Sequence, residues 1–154
     1  RLTGFSLDPA SPNIIEPGKR PAHTLNAFTA VNPDGTLHLV GGTPGANIQV
    51  QTNLQLIINV VDLKMNVQEA TEAPRWQHLN APGQSSSEET GSGVLEIENR
   101  ISTQVLDQLR TKGHDVKELA AWGHGSSVQL MQVLPNKTYA FGSDPRCEGH
   151  ASGI

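Results

Sequence analysis

Gly42-Thr43-Pro44-Gly45-Ala46 joins a strand-like run to a helix-like run, and it is the segment of this chain best suited to chemistry. A helix that starts there leaves backbone N–H groups without intrahelical partners, and its dipole favours negative charge at that end. Small residues let another group approach the backbone closely. Such a corner can hold a carboxylate, a phosphate or the developing oxyanion of acyl transfer. It can equally be a tight strand-to-helix turn and nothing more. A second segment, Gly18-Lys19-Arg20-Pro21 with His23-Thr24, gathers two cations, an imidazole and a hydroxyl ahead of the first strand. As a pattern it reads either as a binding loop or as a solvated loop.

Other chemistries lack their residues. The six histidines are scattered and form no H-x-x-x-H pair, and Cys147 is the single cysteine. No zinc or other metal site is expected, and no internal disulfide. There is no G-x-S-x-G elbow and no phosphate loop, and Gly41-Gly42 with Gly45 is not a dinucleotide fingerprint, so no cofactor is expected. With 15 acidic against 11 basic residues and a net charge of -4, the chain has no basic face for nucleic acid. Its longest apolar region, Leu54 to Val61, is broken by Gln55 and Asn59, which predicts no membrane span.

The elements that must position these segments follow from periodicity and turn chemistry. Pro9, Pro12, Pro17 and Pro21 keep residues 1–22 in a loop. Thr24–Val31 and Thr36–Gly42 read as strands of a hairpin around Asn32-Pro33-Asp34-Gly35. Val50, Leu54, Ile57, Ile58 and Val61 form one apolar helical stripe, expected to pack on a sheet. A short helix is predicted over Val67–Ala73, with Asn66 as N-cap and Pro74 as stop. Ala81–Gly93, rich in Ser and Gly, reads as a surface loop. Val94–Glu98 alternates like a strand, and Ile101, Val105, Leu106 and Leu109 line a helix ended by Gly113. Val128–Leu134 and Thr138–Phe141 make a closing hairpin around Pro135-Asn136-Lys137. The order loop, β, β, α, α, β, α, β, β predicts a single α+β layered domain over 1–154, without the parallel βαβ alternation of a doubly wound fold.

Taken in register, these segments resemble the small subunit of the γ-glutamyltranspeptidase family. The resemblance is carried by Pro17-Gly18-Lys19-Arg20-Pro21 with His23-Thr24-Leu25, then Gly42-Thr43-Pro44-Gly45-Ala46, then Asn59-Val60-Val61-Asp62. Asn66-Val67-Gln68-Glu69-Ala70, Ala73-Pro74-Arg75-Trp76, and Asp144-Pro145-Arg146 with Gly149, Ala151 and Gly153 continue it. It implies the αββα four-layer sandwich of N-terminal-nucleophile hydrolases, of which this chain is the carboxy-terminal portion of the small, catalytic subunit. It also implies a precursor that cuts itself and exposes an N-terminal Thr as nucleophile, with its own α-amine as base. That Thr lies upstream of the position matching Arg1, so this chain alone is expected to be inactive.

By the same resemblance, Gly45 and Ala46 match the paired glycines whose N–H groups form the oxyanion hole, with Ala46 replacing the second Gly. His23 and Thr24 match a Ser-Ser pair that binds the substrate α-carboxylate. Gly4 stands where the family carries an Asp that grips the glutamyl α-amine. A lost carboxylate of this kind typically removes about 2–5 kcal/mol when buried, which points toward the branch of amidases resembling cephalosporin acylase and oxamate amidohydrolase. The implied partners are the large subunit, the upstream small-subunit segment and a small-molecule amide or γ-glutamyl substrate. Competing readings are a non-catalytic binding module built on the same scaffold, and a sugar- or anion-binding β-rich domain. The compartment stays open, because the sequon Asn136-Lys137-Thr138 is too short to decide it.

Overall fold

The structure is a computed structural model, and it describes residues 5–20, 25–45, 48–79 and 93–152. The strands and helices are β1 (Ala27–Val31), β2 (Leu37–Gly42), α1 (Gln49–Val61), α2 (Val67–Glu72), β3 (Trp76–Leu79) and β4 (Val94–Glu98). They continue with α3 (Thr103–Thr111), β5 (Asp115–Leu119), β6 (Gln129–Val133) and β7 (Tyr139–Ser143). Two sheets result, one in the order β1-β2-β6-β7 and one in the order β3-β4-β5.

The first hairpin forms as its turn residues require. Gly35 takes a φ of 83°, and its N–H donates to the Asn32 carbonyl. Asp34 Oδ1 accepts from both the N–H and the hydroxyl of Thr36. β1 then runs antiparallel to β2 with Thr29 opposite Val40, and a bulge falls between Ala30 and Val31. The closing hairpin pairs β6 with β7, Met131 opposite Phe141. α2 carries the full capping box: the Asn66 side chain accepts from Glu69 N–H, and Glu69 accepts from Asn66 N–H. The core lies between α1, α2 and the four-stranded sheet, and consists of Leu39, Leu56, Val60, Val67, Ala70, Val128 and Leu130. At Gly142 of β7 a Cβ would strike the Val67 carbonyl, so glycine sets how closely α2 lies on the sheet.

Three expectations are corrected. The stripe Val50/Leu54/Ile57/Ile58/Val61 does not face the core: Val50 is 66% exposed and Leu54 52%, with Ile58 and Val61 also exposed. The buried face of α1 is Gln49, Thr52, Asn53, Leu56 and Val60, which has the same helical period rotated by about one residue. Its polar members are buried because each bonds a neighbouring group: Gln49 the Thr43 carbonyl, Asn53 the Asn26 carbonyl and Thr52 the Ser126 hydroxyl. One strand pair is parallel, which makes a single β–α–β unit and not the repeated alternation of a doubly wound fold. β4 and β5 run parallel across α3, with Leu95 opposite Val116. β3 and β5 are strands that the sequence pattern does not predict. Within α3, only Leu106 is buried, and Val105 is exposed.

β3 is an edge strand, and α1 closes that edge with two glutamines. Gln55 donates to the Trp76 carbonyl at 2.9 Å and accepts from Trp76 N–H at 3.2 Å. Gln51 does the same for His78, at 3.0 and 2.7 Å. The two carboxamides stand in for a missing neighbour strand and satisfy the free ladder groups.

Candidate functional site

Gly45 is the one member of the predicted site that falls among the described residues. Gly4, His23, Thr24 and Ala46 lie outside them, so their roles remain expectations. Gly45 leaves β2 through Thr43-Pro44 and enters the turn before α1 with φ +137°, a backbone region that favours glycine. A Cβ there would sit 2.7 Å from Ile48 Cγ1 and 3.5 Å from Ser126 Cβ. The corner is held from below. Gln49 Nε2 donates to the Thr43 carbonyl at 2.9 Å, the Thr43 hydroxyl donates to the Pro44 carbonyl, and Ile48 N–H donates to the Gly45 carbonyl.

Beneath this corner is a buried polar cluster to which the sequence pattern assigns no role. Glu98, at the end of β4, has a side chain with no exposed surface. It accepts from Arg146 Nε at 2.7 Å and Nη2 at 2.6 Å, a two-pronged guanidinium–carboxylate pair. Arg100 Nη2 adds a bond at 2.6 Å, and the backbone N–H groups of Arg75 and His124 add two at 3.2 Å. Asp144 is equally buried, bonded to Arg75 Nη2 at 2.5 Å, to Arg146 Nη1 at 3.0 Å and to Val128 N–H at 2.9 Å. Other guanidinium N–H groups donate to main-chain carbonyls of Thr71, Glu72, Ala73 and Ser126, while the buried Arg100 Nε has no partner among the described residues. Arg100 also lies 3.5 Å above the Trp122 ring centroid.

These contacts fix the protonation states. Burial by itself pushes the Glu98 carboxyl up, but the hydrogen bonds from Arg146 and Arg100 overcome it and hold the pKa down at about 2. Burial lowers the Arg75 pKa, partly offset by Asp144. For Arg146 the bonds to Glu98 outweigh burial and raise it. His124 is pushed down to about 4, by burial first and by Arg75 second, so its imidazole is neutral at pH 7.

Glu98, Asp144 and Arg75 are buried, and their bonds tie the end of α2 to the ends of β4 and β7. Arg75 and Arg146 are visible in sequence as parts of Ala73-Pro74-Arg75 and Asp144-Pro145-Arg146. Nothing local links either to Glu98. Among the described residues there is no group of three or more His, Cys, Asp or Glu that could hold a metal ion. No helix among them is long and apolar enough to cross a membrane.

Comparison with known proteins yields a consistent set. The family model for γ-glutamyltranspeptidase matches residues 1–154. The chain is 35% identical to the oxamate amidohydrolase proenzyme of Klebsiella pneumoniae, over 99% of this chain and 28% of that protein. It is 33% identical to the glutathione hydrolase proenzyme of Escherichia coli, over 95% of this chain and 24% of that protein. It therefore spans about a quarter of the length of these curated relatives. Among solved structures it superposes on a Helicobacter pylori γ-glutamyltranspeptidase T380A mutant with a TM-score of 0.73 and 28% identity, over 95% of this chain and 78% of that one. The two sheets and three helices described above are thus part of the α+β sandwich of N-terminal-nucleophile hydrolases.

Proposed function

Because the chain belongs to the γ-glutamyltranspeptidase family, we propose that it is the carboxy-terminal portion of the small subunit of an amidohydrolase or acyltransferase. In this reading it supplies the oxyanion hole and one wall of the acyl pocket. The observation that carries the reading is Gly45: a strand-to-helix corner, positive φ, and a Cβ position filled by Ile48 and Ser126. The N–H groups of residues 45 and 46 then face the carbonyl under attack. The nucleophile is the hydroxyl of an N-terminal Thr in a segment outside this chain. It adds to the amide carbonyl carbon as its proton passes to its own α-amine, and the carbonyl oxygen takes the charge between the two N–H donors. The α-amine returns that proton to the departing amine, the C–N bond breaks, and an acyl ester remains. Water or a second amine then releases the acyl group. His23 and Thr24 line the acyl pocket, and Gly4 in place of a carboxylate favours acyl groups other than γ-glutamyl.

The partner in this reading is the rest of the precursor, namely the upstream small-subunit segment and the large subunit. Two apolar surfaces support it. On the sheet face away from α1 and α2, Val31, Tyr139 and Phe141 are exposed. On α1, Val50, Leu54, Ile58 and Val61 are exposed as a stripe. Exposed apolar side chains grouped in this way are a feature of interfaces.

The test is steady-state kinetics of the processed enzyme on a panel of amides that includes γ-glutamyl anilide. Ala46→Gly keeps the donor and should be mild. Ala46→Pro deletes an N–H and should lower kcat by roughly 10²–10³. A correctly processed Pro variant with wild-type kcat refutes the oxyanion role, and a wild type inactive on every amide favours a binding module instead.

A further inference from the structure

The oxyanion corner rests on a short row of buried side chains. Thr52, in the first turn of α1, has no exposed surface, Ser126 is 1% exposed and His124 3%. Thr52 Oγ1 lies 3.2 Å from Ser126 Oγ, and Ser126 Oγ lies 2.8 Å from His124 Nδ1. The backbone N–H of Ser126 also points at Nδ1, at 3.3 Å. An amide N–H can only donate, so Nδ1 accepts, the imidazole is neutral and its proton sits on Nε2. That assignment orders the row: the Thr52 hydroxyl donates to Ser126, and the Ser126 hydroxyl donates to His124. Ser126 is also the residue whose Cβ borders the Cβ position of Gly45. Its carbonyl receives Arg75 Nη1 at 2.8 Å, and Glu98 receives His124 N–H. The row therefore connects the first turn of α1 and the floor under Gly45 to the buried ion cluster.

We infer that Ser126 and His124 are positioning residues for the Gly45 corner, His124 Nδ1 fixing the Ser126 hydroxyl and Ser126 with Thr52 fixing the turn from which the oxyanion donors point. The inference rests on the oxyanion reading of Gly45 and Ala46. Neither side chain touches substrate, so both act through main-chain geometry. A misplaced donor weakens the transition state more than the bound ground state. Loss of the row should therefore show in kcat and leave KM nearly alone.

The experiment uses the processed, assembled enzyme and its preferred amide. Ser126→Ala and Thr52→Val each remove one hydroxyl with little change of volume. His124→Leu removes the acceptor, and His124→Asn puts a carboxamide oxygen close to the Nδ1 position. Each of the first three should lower kcat by about 10–100-fold with KM within about threefold, and His124→Asn should recover most of the loss seen with Leu. Full kcat in processed Ser126→Ala and Thr52→Val overturns the inference, as does a loss that appears in KM alone. If His124→Leu fails to fold or process, the Ser126 and Thr52 variants decide. Ala46→Pro, measured alongside, separates the two ideas. If it lowers kcat while the row variants do not, only this inference fails. If it has no effect in processed enzyme, the oxyanion reading fails and takes this inference with it.

Discussion

Glu98→Gln is the sharpest perturbation the structure offers. It keeps the shape of the side chain and removes its charge. In the native cluster the guanidiniums of Arg75, Arg100 and Arg146 face two carboxylates, Glu98 and Asp144. The substitution leaves three cations and one anion with almost no water, and turns an amide NH₂ toward the Arg146 fork. Removing one member of a buried pair costs about 3–5 kcal/mol, because the partner charge stays buried. The pKa gives an independent figure. A carboxyl held at about 2 instead of 4.5 contributes on the order of 3 kcal/mol above both values. The sign follows from the direction. The unfolded chain takes up the proton first, so this stability is complete above pH 4.5 and is lost as pH falls from 4.5 toward 2. Urea unfolding of the assembled protein, followed by fluorescence of Trp122, which lies under Arg100, reads both quantities. At pH 7 the Glu98→Gln variant should be less stable by about 3 kcal/mol, and the gap should narrow as pH is lowered from 5 to 3. Arg110→Ala is the control: its pairs with Asp107 and Glu118 are on the surface, and its unfolding midpoint should stay near that of wild type. A Glu98→Gln variant within about 1 kcal/mol of wild type at pH 7, or a gap unchanged between pH 5 and pH 3, refutes the reasoning.

His124 should give a second acid limb at higher pH. The unfolded histidine binds a proton near 6.5 and the folded one only near 4, so stability should fall across that window by about 3 kcal/mol, and His124→Asn should flatten it in urea titrations at pH 7, 5.5 and 4. Gly142→Ala should lower stability by about 1–3 kcal/mol, since its Cβ would meet Val67 backbone and, at 3.0 Å, Thr71 Cγ2. Thermal unfolding checks it, and an unshifted midpoint would mean α2 can move off β7 at little cost.

The legible parts of the fold are those with local chemistry. Both hairpins are set by turn residues, Asn32-Pro33-Asp34-Gly35 and Pro135-Asn136-Lys137, and α2 by Asn66, Glu69 and Pro74. α1 is visible as an element, but its orientation is not. Apolar periodicity points to an inner face only when the buried residues are apolar, and here Gln49, Thr52 and Asn53 are buried for the bonds they make. β3 is four residues long, and its edge is satisfied by Gln51 and Gln55, which carry no strand signal. β5 reads Asp-Val-Lys-Glu-Leu, and as an edge strand it has no fully buried position. At the candidate site, Gly45 is legible from glycine at a strand-to-helix junction. The brace beneath it is not. Glu98 meets Arg75, His124 and Arg146 across separations of 23, 26 and 48 residues, beyond any helical or strand period.

That brace also explains why stability and turnover should respond to different residues of one bonded network. Arg75, Arg100 and Arg146 tie the carbonyls that end α2, at Thr71, Glu72 and Ala73, to Glu98 at the end of β4 and Asp144 just past β7. They thereby fasten the two sheets and α2 at a single point, and cations at a helix C-terminus also complement its dipole. Removing charge there loosens every attached element, so the cost falls on unfolding. Ser126 and His124 lie one step outward, bonded to the brace through the Ser126 carbonyl and the His124 N–H, while the Ser126 hydroxyl reaches Thr52 in the first turn of α1 and the Ser126 Cβ borders the Cβ position of Gly45. Removing that hydroxyl leaves all the ion pairs in place and frees only the turn before α1. The Glu98→Gln protein should therefore unfold early, yet keep kcat while it remains folded. Ser126→Ala should unfold near wild type and lose kcat, and the reverse pattern would mean that the two groups are not separate steps of the network.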